Sequence, residues 1–148
     1  MTIPSALTPA IVDVLYEEAL CLVEEARCVF DEAPTVDATA LRSALSREAL
    51  RTTTQLMHAM AWLLNHRAFF AGDMSALQLR RHGRLPPTQH GGQAKDAALL
   101  DARVRAVSEN ASALHERIAR LDEAWQAELP GEPAAVHRLH EKLGRAFG

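Results

Sequence analysis

Only two cysteines occur in the 148 residues, 5% of residues are aromatic, and the longest apolar runs are a few residues long. Each shortage excludes something. Cys21 and Cys28 stand seven residues apart on what reads as one helix. Two helical turns separate them by about 10 Å, beyond the reach of a disulfide between them. Free thiols suit a reducing compartment. The run Ala-Met-Ala-Trp-Leu-Leu, Ala59 to Leu64, is among the longest, and it falls far short of the ~20 residues that cross a bilayer. The opening MTIPSALTPA has no basic segment followed by an apolar one, so no secretory leader is expected and the protein reads as cytoplasmic. A net charge of −3 gives no strong pull on nucleic acid. Few aromatics, with Ala and Leu abundant, favour helix over sheet. The length suits one domain, expected over residues 1–130 with a tail at 131–148.

What is present is helical periodicity. Thr8 before Pro9 is a helix start, a capping hydroxyl followed by a proline whose missing N–H does no harm there. Ile11, Leu15, Ala19, Leu22, Ala26 and Val29 then recur at the helical period to about Asp31, with Val12, Val23 and Phe30 widening the stripe. Outside it lie seven acids, Glu24 and Glu25 among them, against Arg27 alone. Such a face is either solvated or a dock for a basic partner. Pro34 ends the helix.

The second helix is the centre of the chain. Asp37 is positioned to cap it and Gly72 to end it, giving about 34 residues and roughly 50 Å. It outreaches the first helix, so part of it is expected to overhang or to be covered by another subunit. Leu56, Met57, Met60, Ala61, Leu63, Leu64, Ala68 and Phe70, with Thr52 and Thr53, form the expected core face. Arg67 projects to the same side and requires an acidic partner or a route to solvent. The opposite face carries Arg51, Gln55, His58, Trp62, Asn65 and Phe69. Trp and Phe beside Arg make an interface anchor; the alternative is packing beneath a loop or the chain's own tail. Arg51, His58, Trp62 and Phe69, with Glu24 and Glu25, are the expected partner or dimer surface.

Residues 72–95 interrupt the pattern. Asp73 or Ser75 can cap a short helical turn through Met74, Leu77 and Leu79. Arg80, Arg81 and Arg84 follow as a basic cluster with His82, and Pro86-Pro87 and Gly91-Gly92 mark a loop. The cluster is either solvated or anion-binding. A third helix is expected from Asp96. Leu100, Val104, Val107, Ala111, Leu114, Ile118, Leu121 and Trp125 form a heptad seam on it. Pro130-Gly131 ends it. The tail repeats an amphipathic pattern at Val136, Leu139 or His140, Leu143 and Phe147; it folds back on the other helices or docks on a partner. The fold class is all-α: a three-helix bundle of long antiparallel helices, a long loop between the second and third, and a short C-terminal helix.

No catalytic constellation emerges. His137 and His140 share a helix face, but a metal site needs three or four ligands and only Glu132 and Glu141 stand nearby. No nucleophile, base and orienting group come together in the sequence. No catalytic residue, metal or cofactor is expected, and the chain reads as a binding protein.

Three segments carry a resemblance. They are LYEEALCLVEEARCVFD at Leu15 to Asp31, Glu48 to Asp73 with ALRTTTQLM, AWLL and RAFFAGDMS, and LHERIARLDEA at Leu114 to Ala124. In order and spacing they resemble the alphaproteobacterial RcdA family, regulators of CtrA degradation, long known only as a domain of unknown function. The resemblance implies a three-helix bundle, a homodimer, and a non-enzymatic adaptor that delivers cell-cycle regulators to the ClpXP protease. The matching polar positions are Glu24, Glu25, Glu48, Arg51 and Arg67. The short apolar tail and the PPTQHGGQ loop depart from the family pattern. Two rivals from other classes are a helical nucleic-acid-associated regulator working through Arg80, Arg81 and Arg84, and a small metal-dependent bundle enzyme.

Overall fold

The computed structural model describes residues 7–33, 39–87, 98–128 and 132–147, with the side chains of the last stretch described from Leu139 to Ala146. Among these residues the chain is all-α, with five helices and no strand. None of the helices is long and apolar enough to cross a membrane.

Helix α1 (Pro9–Asp31) begins as its sequence dictates: the Thr8 hydroxyl accepts from the Ile11 amide at 3.2 Å, and Pro9 occupies the first turn. Its buried line is Val12, Leu15, Ala19, Leu22, Ala26 and Val29. The expected stripe holds from Leu15 onward, but at its start Val12 is buried in place of Ile11, which is exposed.

Helix α2 (Thr39–Phe70) runs for 32 residues, about 48 Å. Gly72 takes a φ of 85° after it, which a side chain resists. The Gly72 and Asp73 amides then donate back to Phe69 and Ala68 carbonyls at 3.1 and 2.9 Å, closing the helix end. The proposed cap Asp37, with Pro34, lies outside the described residues. Helix α3 (Ala76–His82) carries a capping box: the Ser75 hydroxyl accepts from the Gln78 amide and the Gln78 side chain accepts from the Ser75 amide. Its Leu79 is buried and α3 packs on α2. Gly83 ends it at a close approach, since a Cβ there would lie 2.6 Å from Leu79.

Helix α4 (Ala102–Glu128) starts later than the Asp96 expected from sequence; Asp96 itself is outside the described residues. The cap is Asp101, whose Oδ1 accepts from the Arg103 amide at 2.6 Å. The heptad seam is confirmed at Leu100, Val104, Val107, Ala111, Leu114, Ile118 and Trp125, all buried, while Leu121 is half-buried beside a buried Asp122. Helix α5 (Glu132–Phe147) follows; Pro130-Gly131 lies outside the described residues.

Helices α1, α2 and α4 pack against one another pairwise, and their buried residues form one core. Ion pairs lace its edge: Glu18 with Arg117, Glu32 with Arg103 at 3.1 Å, and Asp13 with Arg67 at 3.4 Å. Arg67 also lies over the Tyr16 ring, 4.4 Å from its centre, and its side chain is half-exposed. It thus has both the acid partner and the solvent route it required.

The core face of α2 departs from expectation. Its buried residues are Ala44, Glu48, Thr52, Gln55, Leu56, Ala59, Trp62, Leu63 and His66. Met57 and Leu64 are 65% and 48% exposed, and Leu50 is 71% exposed. The helix is turned so that its polar side enters the core. The reason lies on α4, which supplies partners for Glu48, Gln55 and Trp62; hydrogen-bonded burial lowers the cost that the composition of α2 alone implies, while Thr52 Oγ1 finds no partner among the described residues.

Candidate functional site

The α2–α4 contact is a row of paired polar groups. Ser108 Oγ donates to Glu48 Oε1, and Arg51 Nη2 donates to the same oxygen at 2.6 Å and to Ser108 Oγ at 3.1 Å. One turn on, Ser112 Oγ donates to Gln55 Oε1 at 3.0 Å. Further along, Trp62 Nε1 donates to Asp122 Oδ1 at 3.0 Å. The other carboxylate oxygen of Asp122 accepts from the Leu85 amide at 3.1 Å. One buried side chain therefore ties together α2, α4 and the segment that follows α3.

That segment, residues 83–87, forms one wall of a cleft of about 650 Å³. Arg51, Gln55, Arg84, Ser112, His115 and Glu123 are among the residues lining it. Its lining mixes cationic and anionic groups with Leu85, Pro86 and Ala119. Such a mixed lining fits no single charge class of ligand.

Beside Asp122 lies an aromatic cluster. The His66 ring stacks on Trp62 with centroids 3.7 Å apart, and Trp125 meets His66, Phe69 and Phe70 edge-on at 5.7, 5.3 and 6.1 Å. His66 Nδ1 donates to the Trp62 carbonyl at 2.9 Å. His66 Nε2 and Trp125 Nε1 find no hydrogen-bond partner among the described residues.

Burial lowers the basicity of both core histidines below the ordinary value of 6.5. For His66 the Trp62 carbonyl and Asp122 oppose that shift. For His115 the neighbouring His58 adds to it, against a hydrogen bond to the Pro86 backbone. The unfolded chain therefore binds protons that the folded chain does not, and stability rises with pH in this window. Stability is expected to be full above pH 6.5 and to decline below it, by at most about 1.4 kcal/mol per pH unit for each histidine. Urea unfolding at pH 7.5 and 5.5 checks this; equal midpoints contradict it.

The expected partner surface is not one patch. Trp62 is 2% exposed and belongs to the core, so its assignment to an open surface is corrected: its indole N–H required an acceptor, and Asp122 provides one inside. Phe69 is half-buried against Trp125. Arg51 and His58 are half-buried. Glu24 and Glu25 are exposed on α1, Glu24 paired with Arg27 at 3.1 Å. Arg80 and Arg81 sit in the last turn of α3, where a cation is favoured by the helix dipole. Only Arg84 of the basic cluster joins Arg51 at the cleft. The loop glycines Gly91-Gly92 lie outside the described residues.

Cys21 and Cys28 are free and exposed. Among the described residues no three His, Cys, Asp or Glu side chains gather as metal ligands. What sequence reasoning missed is Asp122 and the apolar line on the far side of α2: Leu50, Met57 and Leu64, one heptad apart and exposed.

The family model described as "Protein of unknown function (DUF1465)" matches residues 3–147. The chain belongs to that family. No curated protein and no solved structure matches it.

Proposed function

We propose that this member of the DUF1465 family is a cytoplasmic, non-enzymatic adaptor of the RcdA kind. In this reading it is a homodimeric three-helix bundle that brings cell-cycle regulators to the ClpXP protease. The observation that carries the reading is the amount of large apolar side chain left outside the core. Leu50, Met57 and Leu64 on α2, Val14 on α1, and Leu139 and Leu143 on α5 are all exposed. Apolar helix faces of this kind serve protein–protein contact.

The three RcdA-like segments also contribute to one core. Leu15, Leu22 and Val29 come from the first, Leu56, Trp62 and Leu63 from the second, and Leu114 and Ile118 from the third. Of the matching polar positions, Glu48 and Arg51 pair with each other and Arg67 pairs with Asp13. Arg67 thereby joins α2 to α1, and Glu48 and Arg51 join α2 to α4 through Ser108. An adaptor then acts by effective concentration, holding cargo beside the protease so that a weak encounter becomes a local one.

The test is a pull-down from the native host with tagged full-length chain, scored for protease subunits and regulators, followed by degradation of the recovered regulator by purified protease. Faster degradation with the chain present supports the reading. Recovery of neither protease nor regulator, or an unchanged degradation rate, overturns it.

A further inference from the structure

Helix α2 turns an uncharged line directly away from the core. The buried residues Ala44, Gln55, Ala59, Trp62 and His66 mark one side, and Leu50, Met57 and Leu64 recur every seven residues on the opposite side. Seven residues fall just short of two full turns, so these three stay nearly in register along about 21 Å. Between and beyond them the same line holds Ser46, Thr53, Ala61 and Ala68, none charged. The only acid on α2, Glu48, is buried and paired.

The line is also close to symmetric about its middle. Laid antiparallel on a copy of itself, with a twofold axis at Met57, it sets Leu50 against Leu64, Thr53 against Ala61 and Ser46 against Ala68. Large meets large at the axis, where Met57 meets Met57, and at the Leu50–Leu64 layer on either side of it; small meets small at the others. An isologous contact requires this self-complementarity, and small residues flanking large ones let helices approach closely. Antiparallel pairing also opposes the two helix dipoles favourably.

The exposed apolar residues of α1, Ile11 and Val14, lack these properties. Val14 is followed there by Glu17, Glu18, Glu24 and Glu25, which would repel the same face of a copy.

We infer that the outer face of α2 is the seat of a second copy of this chain, packed antiparallel about a twofold axis at Met57. This rests on the homodimeric part of the function proposed above and assigns it a surface.

The test compares full-length variants by sedimentation and by circular dichroism. Met57→Glu places two carboxylates at the axis. It is expected to weaken self-association at least tenfold, with helicity and melting midpoint kept because the residue is exposed. Val14→Glu is expected to leave self-association unchanged. In a Cys21→Ser, Cys28→Ser background, Met57→Cys is expected to form a disulfide-linked dimer under mild oxidation. A dimeric wild type whose Met57→Glu variant stays dimeric, with no cross-link at Met57→Cys, overturns the assigned face and leaves the homodimer standing. A wild type that is monomeric at every concentration overturns both, while the adaptor role is decided separately by the degradation assay.

Discussion

Trp62→Ala is expected to cost about 3–5 kcal/mol of folding stability. Trp62 is almost wholly enclosed, stacked on His66 at 3.7 Å and bonded to Asp122 at 3.0 Å. Truncation removes the largest fully buried side chain among the described residues. It also removes the donor that satisfies one oxygen of a buried carboxylate. A domain of this size has only about 5–15 kcal/mol in total, so the variant should unfold at a much lower urea concentration. Chemical denaturation followed by helical circular dichroism measures the shift. A midpoint within error of wild type would mean that Trp62 does not sit in the core. This differs from what the sequence alone implies, where loss of Trp62 weakens association between chains.

Asp122→Ala should follow with a loss of about 2–4 kcal/mol. Two donors, Trp62 Nε1 and the Leu85 amide, lose their acceptor, and a buried donor left unpaired costs about 1–3 kcal/mol. Asp122→Asn is the informative companion. It keeps the size and one acceptor oxygen but presents an NH₂ to the other donor, so an intermediate loss is expected. Urea titration of the three proteins side by side checks the order. If Asn proved as stable as Asp, the second hydrogen bond would be dispensable.

The helices that could be read from sequence are those whose burial follows from apolar side chains alone. In α1 the period from Leu15 to Val29 and the Thr8-Pro9 start agree with the structure. In α4 the heptad seam does. The cap of α3 was legible as Asp73 or Ser75 because capping is local chemistry, and the structure selects Ser75. Helix α2 was misread because its orientation depends on residues some 60 positions away. Glu48, Gln55 and Trp62 enter the core only because Ser108, Ser112 and Asp122 wait there to bond them. A helical wheel of α2 contains no trace of those partners.

One signal was available. A Trp amid polar neighbours carries an N–H that needs an acceptor when buried. Asp122 stands beside the seam position Leu121, a carboxylate next to a core line. Pairing those two facts would have pointed inward. The start of α4 was misplaced because Asp101 caps the helix after two leucines, Leu99 and Leu100, that extend the apolar pattern ahead of it.

The bond from Asp122 to the Leu85 amide pins the connection between α2 and α4 at one point. Up to Leu85 the backbone is held in step with the middle of the protein, so one extra residue between Gly83 and Leu85 would carry that amide past its acceptor. Added length ahead of Leu85, whether by natural insertion or by an engineered tag, should therefore be resisted, and a single hydrogen bond sets that limit.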